Sequence, residues 1–209
     1  AAIRALIGAR FPAHGILGEE QEPVNPDAEY CWHIDPVDGT RAFICGLPSW
    51  GTLIGLARNG VPVAGLMHQP FTGETYLSTG GGSFLDAGGA RTRLATSSVT
   101  RLADAKLMTT TPRLFLGEEA ARYAAIEAEV RLPRYGFDCY AYAMLAAGNI
   151  DIVVESGLKS YDIVPLIPVI EQAGGVVTTW EGAVPMQGGR VVAAANARLH
   201  EAALAILDP

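Results

Sequence analysis

Near residue 105 the apolar pattern of this 209-residue chain changes period, and that change limits the folds open to it. Before it, short apolar runs alternate with turn residues. "GILGEE" (15–20) and "YCWHI" (30–34) each read as a strand, the first running into acid. "WGTLIGLARNGVPVAGLMHQP" (50–70) places strand-like runs on both sides of Arg-Asn-Gly, a strong hairpin signal. "GETYLSTGGGSFLD" (73–86) suggests two more strands around a glycine turn. After residue 105, helix and strand alternate. "KLMTTT", "IDIVVE", "GVVTTW" and "RVVAAAN" read as strands. "GEEAARYAAIEAEV", "CYAYAMLAAG" and "ARLHEAALAIL" read as helices, the second stopped by Gly148. "SYDIVPLIPVIEQAGG" reads as one helix from Ser160 or Tyr161 to Gly174, with Pro165 in an early turn and Pro168 bending it or loosening a backbone bond. Hairpins first and alternation later imply an α/β (α+β) layered sandwich with a mixed sheet.

The chain carries no repeat, low-complexity tract or linker, so one domain is expected, with a strand-rich part over 1–105 and an α/β part over 106–209. Its first ten residues, "AAIRALIGAR", read as the end of an amphipathic helix, Ile3, Leu6 and Ile7 sharing a face. A chain opening inside an element is expected to be N-terminally incomplete, and Ala1 shows no basic start of a secretory leader. The net charge of -7, with 15 scattered Lys and Arg, argues against nucleic acid or an anionic membrane as main partner. Three separated cysteines without a CxxC pair point to a reducing, cytoplasmic setting and away from a structural zinc site.

Acidic residues cluster at the ends of apolar segments. Glu19 and Glu20 follow "ILG", Asp35 and Asp38 follow "CWHI", and Asp162 opens a helix. Carboxylates emerging together from a core repel one another; at ~4 Å and an effective dielectric of about 20, each pair costs roughly 4 kcal/mol. Protonation or a metal relieves that cost, and hard oxygen donors without histidine suit magnesium better than zinc. Pro36 restrains Asp35 to an extended shape, and a turn between Asp35 and Asp38 is expected to aim the Val37 carbonyl inward. Gly39 lets the backbone approach a ligand, and a helix starting at Thr40 and Arg41 would offer its N–H groups to an anion. Taken singly, each motif has a plainer reading: a solvated turn for "DPVDGT", an exposed pair for "GEE", a helix-dipole charge for Asp162. The case for a site rests on the three occurring together in this order.

"GEE", "DPVDGT" and "YDIVPLIPVIEQAGG" resemble the three signatures of the inositol monophosphatase family of magnesium-dependent, lithium-sensitive phosphatases; Tyr161 stands where the last signature usually has Trp. The resemblance spans residue 15 to about 195. "DGTRAFICGLPSWGTLIGL" and "FDCYAYAMLAAGNIDIVVESGLKSYD" look most like the branch that hydrolyses histidinol phosphate in histidine biosynthesis. The resemblance implies a layered α-β-α-β-α sandwich of the kind shared with fructose-1,6-bisphosphatases, and hydrolysis by metal-activated water with two or three Mg2+ ions. It implies metal ligands at Glu19, Asp35, the Val37 carbonyl, Asp38 and Asp162, and phosphate contacts at Gly39 and Thr40. Thr40 and Glu19 would orient the water, with Asp38 in the catalytic set and Glu20 in support. Glu155 stands seven residues before Asp162, the spacing of the family's substrate-binding Glu. Asp138 and Arg41, with Asp162, complete the candidate substrate contacts, although a helix cap for Asp138 and a surface ion pair for Arg41 are the plainer roles. Trp50 and Tyr161 either flank a substrate ring or belong to the core; the four histidines share no ligand spacing, and Cys45 and Cys139 read as small core residues.

The resemblance carries with it a homodimer and an upstream Asp lying before Ala1, without which weak metal binding is expected. Two other functions stay open from the sequence: an inositol monophosphatase of broad sugar and polyol range, and a metal- or phosphate-binding protein without useful turnover.

Overall fold

The computed structural model describes residues 1–208. Helix α1 (Ala2–Arg10) leads into strand β1 (Gly15–Gly18) and then β2 (Tyr30–Asp38), which pair in parallel. Asn59 and Gly60 both take positive φ, the conformation a two-residue hairpin turn needs, and join β3 (Gly51–Arg58) to β4 (Val61–Gln69). Helix α2 (Thr40–Ile44) sits between β2 and β3. Strands β5 (Glu74–Ser78), β6 (Ser83–Ala87) and β7 (Ala90–Arg93) extend the meander into a seven-stranded sheet in sequential order.

The second sheet is mixed. It contains β8 (Lys106–Thr109), β9 (Leu132–Tyr135), β10 (Ile152–Leu158), β11 (Val176–Thr179) and β12 (Gly189–Ala194), in the order β11-β12-β10-β8-β9. Its β8–β9 and β8–β10 pairs are parallel and its β10–β12 and β11–β12 pairs antiparallel. Helices α3 (Glu118–Glu129), α4 (Asp138–Ala146), α5 (Ser160–Ile163), α6 (Ile167–Glu171) and α7 (Ala197–Leu207) complete the chain.

Period-two alternation sorts these elements into five layers. On β10, Val153 joins the central core while Ile152 and Val154 join the outer one. The central core packs Leu53, Met67 and Tyr76 of the first sheet against α4, α5 and α6, and those against Val153, Val177 and Val191 of the second. Outside the second sheet, Tyr123 and Ile126 of α3 meet Leu199 and Ala203 of α7. Outside the first, Ile7 of α1 covers Ile16 and Ile34. The result is the α-β-α-β-α sandwich expected from the sequence. Helix α4 is apolar all round because it lies between two sheets.

The expected single helix over 160–174 is two. α5 ends at Ile163, α6 begins at Ile167, and the break falls at Pro165 rather than as a bend at Pro168. Pro165 has no N–H to bond back to Tyr161, and Leu166 N instead reaches Ile163 O at 2.9 Å, a tighter turn. The break has a socket. A Cβ on Gly55 would come within 2.7 Å of Pro165 Cα, and one on Gly65 would collide with the Pro165 carbonyl oxygen. Two strand glycines thus let the broken helix rest on the backbone of the first sheet. Strands β7 and β9, absent from the sequence reading, are the terminal strands of their sheets.

Candidate active site

Strand β2 carries the first two acids, and its alternation sets where they point. Ile34 faces α1 in the outer layer, so Asp35 faces inward, 2% exposed. Asp38 lies three residues on and would face outward in a regular strand. The β2–β3 register removes that conflict: Asp35 pairs with Leu53 and Asp38 with Gly51, three steps against two. The extra residue is a β-bulge, which returns Asp38 to the inner face. The expected turn between the two acids is therefore a bulge within the strand. Pro36 suits it, since a bulge spares the missing N–H, and Thr52 Oγ1 donates to the Pro36 carbonyl at 2.8 Å. The Val37 amide donates to Asp35 Oδ1 at 2.9 Å, and its carbonyl accepts from Thr40 Oγ1 at 3.2 Å.

Asp162 arrives from the central layer. It sits in α5, and its Oδ2 accepts from the Lys159 amide at 2.7 Å, closing the helix start. One oxygen each of Asp35, Asp38 and Asp162 lie within 4.8 Å of one another. Burial first, then the charge of Asp38, pushes Asp35 up to about 8. Burial pushes Asp38 up to about 7, against the Cys139 hydrogen bond, and Asp162 up to about 6, against the Lys159 amide. One buried and two half-buried carboxyls held together at this cost, with no histidine or cysteine in the group, match the donor set of a hard divalent cation.

Glu19 stands outside that trio. It is exposed just past β1, its amide bonded to Ile34 O at 3.3 Å, and its charge raises the pKa of both Asp35 and Asp162. Glu20 turns away, into a small crevice beside Ala1 and Arg4 of the N-terminal region. Gly39 has φ 83°, and a Cβ there would press on Trp50 Cα and Asp138 Oδ2 at 3.1 and 3.2 Å. Only glycine suits both the conformation and the space. Thr40 then opens α2, whose first N–H groups have no helical partner.

A cleft of about 260 Å³ leads from the acids toward the second sheet. Asp38, Thr40, Arg41, Asp138, Tyr142, Glu155 and Asp162 all line it. Asp38 Oδ2 accepts from the Cys139 amide at 2.7 Å, tying the bulge to the first turn of α4. Asp138 does not cap α4. It is the first helical residue, holds φ 41°, and accepts from Thr110 Oγ1 at 3.3 Å, a strained conformation of the kind that collects at functional sites. Burial raises its pKa, with the Thr110 hydrogen bond and the charge of Arg41 opposing. Glu155 sits on the inner face of β10, 1% exposed; its Oε1 accepts from the Thr110 amide at 2.5 Å, and burial pushes it up to about 8.

Trp50 packs edge-on against Phe43 at 4.9 Å and behind Gly39, outside the cleft lining. Tyr161 lies beside Asp162, Glu19 and Asp35, whose charges raise its pKa after burial has done so. The histidines are used elsewhere: His14 accepts from Trp32, His68 meets Thr75, His200 meets Thr178, and His33 is buried in β2. Cys139 is buried, as expected of a core residue; Cys45 is exposed. Among the described residues no helix is long and apolar enough to cross a membrane. The sequence reading missed Thr110 and Tyr142; nothing in "KLMTTT" or "CYAYAMLAAG" separates them from their neighbours, since their exposure to the cleft depends on how β8 and α4 meet β10.

A family model described as the inositol monophosphatase family matches residues 1–208. The chain is 40% identical over 223 residues to bifunctional phosphatase IMPL2, chloroplastic, of Arabidopsis thaliana, covering 99% of this chain and 62% of that protein. It is 34% identical to a histidinol-phosphatase of Mycobacterium tuberculosis, covering 99% of this chain and 80% of the relative. Among solved structures, an inositol monophosphatase from Zymomonas mobilis superposes with a TM-score of 0.90 at 38% identity, covering 100% of this chain and 80% of that one. The chain thus spans less than two thirds of the plant relative's length.

Proposed function

This chain belongs to the inositol monophosphatase family, and on that premise we propose that it is a magnesium-dependent phosphomonoesterase acting on a small phosphate ester, with histidinol phosphate as its preferred substrate. The observation that carries the reading is the convergence of Asp35 and Asp38 from the bulge with Asp162 from α5. Asp38 and Asp162 line, with Gly39 and Thr40, a cleft whose wall also holds Asp138 and Glu155. Asp35, Asp38, Asp162 and the Val37 carbonyl would hold magnesium, with Glu19 joining from β1, in a set of two or three ions. When bound there, magnesium neutralises the crowded carboxylates, polarises the ester and lowers the pKa of coordinated water.

The chain's own groups supply the rest. Gly39 and Thr40 offer backbone N–H groups to the phosphate oxygens at the start of α2. The Thr40 hydroxyl, held by the Val37 carbonyl, would orient water with Glu19. The leaving alcohol extends toward Asp138 and Glu155. These carboxyls suit an alcohol bearing an ammonium and an imidazole better than a neutral polyol, and Arg41 lies at the same edge. Relatives named histidinol-phosphatase support that substrate. The plant relative's name says bifunctional, and the solved neighbour is an inositol monophosphatase; they favour the second reading, a polyol phosphatase. Three cysteines, each free, fit the reducing cytoplasm in this reading.

Phosphate release from histidinol phosphate and inositol 1-phosphate, measured side by side with magnesium, decides between them. Faster turnover of histidinol phosphate is expected; faster turnover of inositol phosphate overturns the substrate assignment. Asp38→Asn should lower kcat by at least a hundredfold while the far-ultraviolet spectrum stays unchanged, and retained activity would refute the site.

A further inference from the structure

Two polar atoms on residues of the cleft lack a hydrogen bond of good geometry among the described residues: the Tyr142 hydroxyl and Glu155 Oε2, the latter near the likewise unpaired hydroxyl of Thr109. Both residues are almost wholly buried, at 3% and 1% exposure, and both line the cleft. Leaving a buried polar atom unpaired is costly, so two of them on residues that line one cavity mark a place where a ligand supplies the missing bonds. The two oxygens come from different layers, Tyr142 from α4 and Glu155 from β10, and they do not bond to each other. Glu155 also lacks a cationic partner: no Lys, Arg or His lies within ion-pair distance of it among the described residues.

Tyr142 stands one helical turn beyond Cys139, whose amide binds Asp38, so one face of α4 both holds Asp38 and lines the cleft. The charges of Glu155, Asp38 and Asp162 all act on its hydroxyl. A ring hydroxyl offers lone pairs as well as one hydrogen, and a carboxylate only accepts. An N–H-bearing cation satisfies both oxygens and draws Glu155, held up by burial, into its ionised form. A neutral polyol supplies hydrogen bonds but no charge to hold the carboxylate ionised.

We propose that Tyr142 is a specificity-determining residue: with Glu155 Oε2 its hydroxyl forms a two-oxygen seat for a protonated nitrogen of the leaving alcohol. This rests on the phosphatase reading above and adds to it a residue that acts on the choice of alcohol. The test compares wild type with Tyr142→Phe, which keeps the ring and removes only the hydroxyl, using magnesium, histidinol phosphate and nitrogen-free glycerol 2-phosphate. The ratio of kcat/KM for the two esters is expected to fall about tenfold, the scale of one lost hydrogen bond to a charged group. The loss should appear in KM. Glu155→Gln, a second variant at the same seat, should lower the ratio further. A proportional loss for both esters, or a loss in kcat alone, overturns the role of Tyr142. Calorimetric binding of histidinol itself requires no turnover and separates the two ideas. If wild type cleaves no ester yet Tyr142→Phe weakens histidinol tenfold, the seat stands and the phosphatase reading falls. If histidinol binds both proteins equally, the seat falls whatever the activity.

Discussion

Asp35→Asn should stabilise the metal-free protein and weaken its hold on magnesium. In the folded chain Asp35 is 2% exposed, and burial with the Asp38 charge lifts its pKa to about 8. In the unfolded chain it ionises near pH 4. Between those values the folded state binds the extra proton, so stability present at acid pH is lost as pH rises from about 4 to about 8. Asp38, lifted to about 7, and Asp162, lifted to about 6, act with the same sign over narrower windows. For Asp35 at pH 7 the displacement is ~3 units at ~1.4 kcal/mol each, a ceiling of roughly 4 kcal/mol. The three acids share one repulsion, and about half of that, ~2 kcal/mol, is a fair expectation. In a chain of this size ~2 kcal/mol moves Tm by about 4–8 °C. Asparagine keeps the oxygen that accepts from the Val37 amide at 2.9 Å, so the bulge survives. Thermal melts in a chelator at pH 5 and pH 7 read the effect. The variant should melt several degrees above wild type at pH 7, with a smaller gap at pH 5, and added magnesium should raise wild type more than the variant. A variant that melts below wild type at pH 7 in chelator would refute the account of the acids as a crowded, metal-matched group.

Two further predictions concern the frame that positions the site. Gly65→Ala drives a methyl into the Pro165 carbonyl and should lower the urea midpoint by the equivalent of about 3 kcal/mol; Gly81→Ala, in open space, should change it by less than ~0.5 kcal/mol. Asn196→Ala removes the cap on Leu199 N (3.1 Å) and the bond from Nδ2 to Val99 O (2.8 Å), and should cost about 1–2 kcal/mol in thermal unfolding.

What could be read from the sequence was what depends on local chemistry. Asn59-Gly60 determines its hairpin because few other residue pairs take two positive φ values in succession. The apolar runs of α4 and β10 announce burial wherever they lie. The edge strands did not show. "ARTR" is exposed along its length and "LPRY" carries a proline, features that blunt a sheet edge and erase the alternation by which strands are recognised. The helix break at Pro165 was half visible. Two prolines warned of it, but its position depends on the socket at Gly55 and Gly65, a hundred residues earlier in the chain.

The candidate site divides along the same line. Asp35, Asp38 and Asp162 stood out because charge at the end of an apolar run is locally anomalous, and the structure brings one oxygen of each within 4.8 Å. That Asp38 shares a face with Asp35 could not be derived from a spacing of three, which in a regular strand separates them. It takes the bulge, visible only once β2 is paired with β3. Tyr142 is the extreme case. In "CYAYAMLAAG" it is one aromatic in an apolar helix, and burial is the ordinary fate of such a residue. Its significance lies in one atom, a hydroxyl left without a partner where α4 meets β10. The acids that would hold the metal reveal themselves by violating a local rule, whereas the groups proposed to choose the alcohol violate a rule only after the layers are stacked. In the proposed reading, choice of the alcohol falls to residues whose role is set by packing, and Tyr142→Phe, conservative in sequence, is the substitution expected to shift it.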